Sequence, residues 1–301
     1  MLIHAWVAIT LVAALLQTWR TALQQRLRSI LSVNAVGLVR YLYALPVDGL
    51  MLGAFLIAGR ALPVPDPGFL ALCAIAGLAQ ILGTSLLILA FGYRGFTVGT
   101  AYAKTDSIQA ALAAWLLVGQ TLPMVAWAGV AVGVAGVMVL SLGGRGVQGR
   151  ELLAAAVQPG ALCGLGAGGG FALAGVLARL AIHRLPEAGP IYGAVFTLAL
   201  TNLLQTAMQG GWMLLREPGG VLAAFAQWRR AAWVGALSGI GSACWFSAFA
   251  MAPVALVRTV GQADLALVLL FSRFYLRERA RGWDIAGVVL IGMGVVLAMV
   301  G

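Results

Sequence analysis

An all-α integral membrane protein of about ten transmembrane helices, in two inverted five-helix repeats, is the fold class that three features of the sequence predict. The first is composition. Of 301 residues, 62% are hydrophobic and only 9% charged, with a mean hydropathy of +0.98, far more apolar and less charged than a soluble domain. The second is pattern: apolar runs of about 20 residues recur without strict alternation, so helices and not a barrel satisfy the backbone in lipid. The third is internal similarity at one constant offset. Ala90-Phe91 returns as Ala248-Phe249, Asp106 as Asp264 and Gly136-Val137 as Gly294-Val295. The register holds without a gap from Gly77/Gly235 to Val137/Val295. Residues 1–147 and 148–301 are therefore expected to be two copies of one unit, together one transmembrane domain. An odd number of spans per copy gives the copies opposite orientations.

Composition also narrows the function classes. The formal charge of +10 comes from arginines set mostly in short breaks between apolar runs, where they act as topology signals and not as a nucleic-acid surface. Cys73, Cys163 and Cys244 each lie in a different apolar run with no CxxC pair, so no disulfide framework is expected. With only His4 and His183, a histidine-rich zinc site is not expected. Residues 2–16 lack a preceding basic flank and open a chain that stays apolar, which speaks against a cleaved leader. No P-loop, paired-carboxylate motif, metal cluster or activated nucleophile is present, so neither an enzyme nor an ATP-driven pump is expected, and no cofactor.

The first span, 2–22, ends in Gln17, Arg20 and Gln24 at helical spacing, one polar stripe that either lines a cavity or meets the headgroups. The second, 33–58, contains Arg40-Tyr41, Pro46 and Asp48, and the proline predicts a kink where protein or water covers the freed carbonyl. Three prolines between Arg60 and Gly68 mark a loop. The third span, 69–92, bears Gln80, Thr84 and Ser85. Gly119 to Pro123 turns into the fifth, 124–142, where Gly129 and Gly133 form a GxxxG packing pair. A linker follows at 143–151. Gly164, Gly166 and Gly169 satisfy G-x-G-x-x-G, but no strand comes before them, so the run reads as a close-packing surface or a flexible point in span six. The seventh span, 188–214, carries Thr197, Thr201, Asn202, Gln205, Thr206 and Gln209, and one face is expected to look inward. Span eight, 231–250, offers Ser238, Ser242, Trp245 and Ser247.

The fourth and ninth spans, 95–117 and 253–276, hold the charges. Lys104 is the only lysine. It and Asp106 would each cost about 2.5–3.5 kcal/mol at the centre of a lipid-facing helix, so both are expected to face protein or a cavity. Four-residue spacing places Thr100 with Lys104 and Tyr102 with Asp106. On the ninth span it places Arg258 with Gln262 and Val260 with Asp264. Each copy thus offers one cationic and one anionic face. The tenth span runs from Ile285 after a charged break.

The segments GQTLPMVAWAGVAVGVAGVMVL and RERARGWDIAGVVLIGMGVVLAMV, each a short turn leading into a glycine-bearing helix, resemble the drug/metabolite transporter superfamily in its EamA-type branch. Glu278 matches the acidic residue that closes the family's ninth helix, Gln120 stands at the equivalent place in the first copy, and mid-helix prolines of the family pattern are absent. The resemblance implies a gradient-driven secondary transporter that alternates access to a mid-membrane cavity between the repeats. Joined to the residues themselves, it gives a cavity for an anionic or zwitterionic small metabolite such as an amino acid. Lys104, Tyr102, Trp245, Arg258, Gln262 and Asn202 are the expected substrate-binding residues. Asp106 and Asp264 are expected to couple transport to protons or another ion. An alternative reading keeps the aspartates in fixed ion pairs with arginines such as Arg40, in a non-transporting membrane subunit or scaffold.

The expected location is a bacterial inner membrane, with the lipid bilayer and a small-molecule substrate as partners, no nucleic acid, and a monomer or homodimer as the assembly. Arginines concentrate in the odd-numbered loops, from Arg20, Arg26 and Arg28 to Arg277, Arg279 and Arg281. Positive-inside reasoning then places both termini outside, whereas the resemblance implies both inside.

Overall fold

A computed structural model describes residues 5–94, 102–142, 159–264 and 282–300. Among the described residues the chain is all-helical, with no strand, and has the character of a multi-pass membrane protein of around ten helices. The helices are α1 Ala5–Leu27, α2 Val33–Leu42, α3 Leu45–Ile57, α4 Pro67–Arg94, α5 Asp106–Val118, α6 Met124–Leu142, α7 Pro159–His183, α8 Pro190–Arg216, α9 Pro218–Ala226, α10 Trp228–Met251, α11 Val254–Gly261 and α12 Gly282–Val300. Among the described residues six spans, Val33–Ile57 counted as one, are long and apolar enough to cross a bilayer. Large apolar side chains such as Ile57, Leu116, Met124 and Leu215 stand exposed, a surface suited to lipid and not to water. The expected 143–151 linker, Thr100 and Glu278 lie outside the described residues.

The chain packs as two compact units, and each draws on both halves of the sequence: residues 1–85 with 173–252, and 86–172 with 253–301.

In the first unit α10 packs along α1, α2, α3 and α8, and α8 packs on α2 and α3. Glycines set the closest approaches: a Cβ on Gly235 would strike the Tyr43 backbone, and one on Gly77 would lie 3.1 Å from Gln205. The kink expected near Pro46 is a full break. α2 stops at Leu42, α3 restarts at Leu45, and Pro46 occupies the first turn of α3, where its missing N–H costs nothing.

The polar face of α8 does look inward. Thr197, Thr201, Asn202, Gln205 and Gln209 are buried. The threonines bond back to their own helix, Thr197 to the Gly193 carbonyl at 2.7 Å and Thr201 to the Thr197 carbonyl at 2.7 Å. The amides reach across: Gln205 donates to the Gly77 carbonyl at 3.1 Å and to Gln80 Oε1 at 3.0 Å, and Gln209 to the Asn34 carbonyl at 2.8 Å. These are the interhelical hydrogen bonds that hold helices together where water is absent.

Arg20, counted among the loop arginines, and Arg179 are both inside helices. Arg20 is buried in α1. Arg179, in α7, donates to the carbonyls of Phe249 and, at 2.6 Å, Ala252, closing the C-terminal end of α10, where a cation is favoured.

The loop before α4 ends in an N-cap. Asp66 accepts from the Phe69 N–H and pairs with Arg184 at 3.0 Å. The Phe69 N–H, against some opposing desolvation, and then the Arg184 guanidinium hold the Asp66 carboxyl below its ordinary value. A carboxyl lowered by folding stabilises above its unfolded pKa, and the contribution is lost as pH falls through the folded value. Asp66→Ala is therefore expected to lower the unfolding midpoint at neutral pH. The gap to wild type should close as pH drops below the carboxylate range, as read by thermal unfolding in detergent across a pH series.

In the second unit α6 and α12 form the tightest pair, backbone against backbone. A Cβ on Gly136 would lie 2.7 Å from the Ile291 nitrogen, and one on Gly294 2.6 Å from the Gly133 Cα. The expected packing role of Gly129 and Gly133 holds. Gly119 ends α5 in the left-handed region, φ 65°, with its N–H on the Trp115 carbonyl at 3.0 Å.

Candidate functional site

The fourth span is not a continuous helix through its charges. Tyr102 and Ala103 are helical, Lys104 and Thr105 form a turn, and α5 begins at Asp106. The Thr105 hydroxyl donates to the Tyr102 carbonyl at 2.7 Å and accepts from Gln109 Nε2 at 2.8 Å, which stitches the turn. Asp106 then sits in the first turn of α5, where the helix dipole favours a negative charge. The ninth span repeats the device. α11 stops at Gly261, Gln262 is a turn, and helical residues resume at Ala263 and Asp264. Lys104 and Gln262 are equivalent under the internal repeat, as are Asp106 and Asp264, so both copies break at the same register position.

The breaks bring the charges together crosswise within this unit. Lys104 Nζ lies 2.6 Å from Asp264 Oδ2, and Arg258 Nη1 3.3 Å from Asp106 Oδ2. The cationic residue of each copy thus meets the anionic residue of the other. Gln262 Nε2 donates to the Lys104 carbonyl at 3.1 Å and to Ser107 Oγ at 2.9 Å. The repeat-equivalent residues are therefore bonded to each other. Arg258 also reaches the Phe171 carbonyl at 3.3 Å. Asp106, Ser107, Gln262 and Asp264 are buried, and the Lys104 and Arg258 side chains are only 13% and 11% exposed. Burial on this scale makes each partner necessary to the other: removing one member of such a pair costs about 3–5 kcal/mol.

The glycine run of span six backs this cluster. It lies inside α7, so the dinucleotide-cradle geometry is absent, and Gly168 and Gly169 abut the turn. A Cβ on Gly168 would fall 2.9 Å from the Ala103 carbonyl oxygen, and one on Gly169 2.8 Å from Gln109 Oε1. Of the two readings left open for this run, close packing is the one the contacts support. Gly133 on α6 allows the same closeness to Gln262, whose Oε1 would stand 2.8 Å from a Cβ there.

Of the eight expected site residues, Lys104, Asp106, Arg258, Gln262 and Asp264 form this one cluster. Tyr102, in the same unit, packs with Ala161, Met138 and Leu165. Trp245 and Asn202 belong to the other unit. There Trp245 lies against Phe249 with ring centroids 5.8 Å apart, and Asn202 Nδ2 donates to Asp48 Oδ2 at 2.7 Å. Arg40, considered as an ion-pair partner for the aspartates, bonds instead to Thr84 Oγ1 at 2.9 Å, beside the Tyr41 hydroxyl at 3.0 Å from the same atom.

Asp48 was visible in sequence only as a polar residue after Pro46. It is 1% exposed, with a neutral amide on one oxygen. Its other oxygen, Oδ1, has no hydrogen-bond partner among the described residues. A carboxyl so deep in an apolar span was the available signal, but its partner lies far along the chain and no spacing rule connects them.

No His/Cys/Asp/Glu cluster of metal-binding kind occurs among the described residues. The three cysteines are free thiols.

Residues 158–300 match the model of the EamA-like transporter family. A solved structure, described only as the crystal structure of a protein, is similar with a TM-score of 0.69 at 20% identity, over 98% of this chain and 97% of its own. At that identity the likeness is one of fold. No curated protein matches the sequence.

Proposed function

We propose, from the match of residues 158–300 to the EamA-like transporter family, that this chain is a gradient-driven carrier of a small zwitterionic or anionic metabolite. Members of the family are transporters and not enzymes. The observation that carries the finer reading is the crossed charge cluster at the two matched helix breaks.

Two buried anions and two largely buried cations pair with each other. A zwitterion such as an amino acid can enter by exchange of partners, its carboxylate taking Lys104 or Arg258 and its ammonium taking Asp264 or Asp106. No charge is stranded at any stage, and stranding is the costly event in a low-dielectric site. An anion entering the same cluster would free one aspartate, and a proton on Asp106 or Asp264 then keeps the count neutral. In this reading the aspartates are the coupling residues. The helix breaks matter because turn backbone has fewer intrahelical bonds to lose than a continuous helix, so the pairs can open locally. Tyr102 serves as a further substrate contact in the reading. Alternating access is part of the same proposal, and a bacterial inner membrane is the proposed location.

The test is thermal unfolding of the purified protein in detergent against amino acids, organic anions, organic cations and nucleosides. A zwitterion or anion at roughly a hundredfold over its dissociation constant is expected to add about 2.7 kcal/mol of stability, and the shift should vanish in Lys104→Met. A shift given by organic cations or nucleosides alone, or one that survives Lys104→Met, would overturn this assignment of the site.

A further inference from the structure

The first unit carries a second feature, remote in sequence from the crossed ion pairs. Where α1 ends and α10 begins, a cavity of about 680 Å³ opens between them. Arg26, in the last turn of α1, and Arg229 and Arg230, in the first turn of α10, line it together with Trp19, Leu23 and Trp233. None of the residues lining the cavity is acidic.

We propose that this cavity is a binding site for an anionic phospholipid, with the phosphodiester held by Arg26, Arg229 and Arg230 and the proximal acyl chain lying along Trp19, Leu23 and Trp233.

Three points support it. The arginines stand at the ends of two membrane-crossing helices, which is headgroup depth, and exposed tryptophans belong at that same level. Trp19 and Trp233 are 60% and 65% exposed, so their rings offer apolar area that only lipid would cover. The three arginines line one concavity, and no carboxylate is among its described lining residues. They repel one another until an anion enters, and the two non-bridging oxygens of a phosphodiester accept charge-assisted hydrogen bonds from guanidinium N–H groups. Arg229 is further fixed by the Trp228 ring, whose centroid lies 5.5 Å from its Cζ. Topology arginines need only lie on the correct side of a membrane. Gathering three around a cavity walled by tryptophan is an additional feature, of the kind that binds anionic headgroups between helices. The size falls within the ordinary range for small-ligand cavities.

The experiment is a thermal titration of the full-length protein in detergent with phosphatidylglycerol, with phosphatidylcholine of the same acyl chains, and with inorganic phosphate. Phosphatidylglycerol is expected to raise the unfolding midpoint saturably, by about 3 °C or more, and the other two to leave it unchanged. The triple variant Arg26→Gln/Arg229→Gln/Arg230→Gln should lose the shift. Should that variant fail to fold, the single variants Arg26→Gln and Arg229→Gln are each expected to weaken the titration about fivefold. An equal shift with phosphatidylcholine, an equal shift with inorganic phosphate, or an unaltered phosphatidylglycerol titration in the variants would each overturn the proposal. None of these residues is in the crossed cluster, so failure here leaves the transport reading untouched.

Discussion

Gly129→Leu is expected to remove most folded protein. A Cβ at this position would lie 2.7 Å from the Gly294 carbonyl oxygen and 2.9 Å from the Ala298 Cα, and it would strike the Ala298 nitrogen as well. These are backbone atoms of α12, so no side-chain rotation relieves the overlap. Overpacking a core by a few carbons costs about 1–3 kcal/mol when side chains can give way. Here whole helices must separate, and the neighbouring contacts of Gly133, Gly136 and Gly294 would be lost with them. Losing these contacts together, on top of the overlap itself, is a cost of the same order as a total stability of about 5–15 kcal/mol. The matched control is Gly292→Ala on α12, where an added Cβ meets nothing within 4 Å among the described residues. Its yield and unfolding midpoint should stay at or slightly above wild type, because alanine favours the helix over glycine. Monodisperse yield on gel filtration and thermal unfolding read both variants.

The second large effect separates structure from function at the charge cluster. Asp264→Asn leaves Lys104 buried without its partner at 2.6 Å, and a cost of about 3–5 kcal/mol is expected. Replacing both members, as Lys104→Met with Asp264→Leu, removes the charge that would be stranded. Well-packed apolar replacements of a buried pair are often neutral or stabilising by about 1–4 kcal/mol. The double variant should therefore recover the wild-type midpoint that the single variant loses. If the pair serves only to hold helices in register, the double variant retains full activity. If the pair exchanges partners with a substrate, the variant folds and does not transport. Single substitutions cannot make this distinction, since a low yield and a lost site give the same silent assay.

Much of the helical layout was legible from the sequence, for definite reasons. Apolar runs and their breaks located the spans, Pro46 marked the interruption between α2 and α3, and Gly119 marked the end of α5. The short helix Pro218–Ala226 was missed, because nine mostly apolar residues between two spans look like the edge of either. The break at Lys104–Thr105 was missed as well. Neither residue is a helix breaker, and beside the local Gln109–Thr105 hydrogen bond the turn is held by tertiary contacts, with Gln262 on the Lys104 carbonyl and Gly168 against Ala103. Gln262 carries still less local signal. The internal repeat did identify which residues are equivalent, and five of the eight expected site residues do meet. The crossing itself, lysine of one copy to aspartate of the other, was out of reach, since periodicity assigns faces and not partners. The same limit hid the Asp48–Asn202 and Arg40–Thr84 hydrogen bonds.

The central claim is that the crossed ion pairs at the two helix breaks form the substrate site of a transporter. Its most direct test is uptake into proteoliposomes of the compound that most stabilises the wild-type protein, compared with the folded Lys104→Met/Asp264→Leu variant. Uptake by the wild type, with the variant reduced to the level of protein-free liposomes, is the predicted result. Equal uptake by both would contradict it and leave the ion pairs a purely structural role.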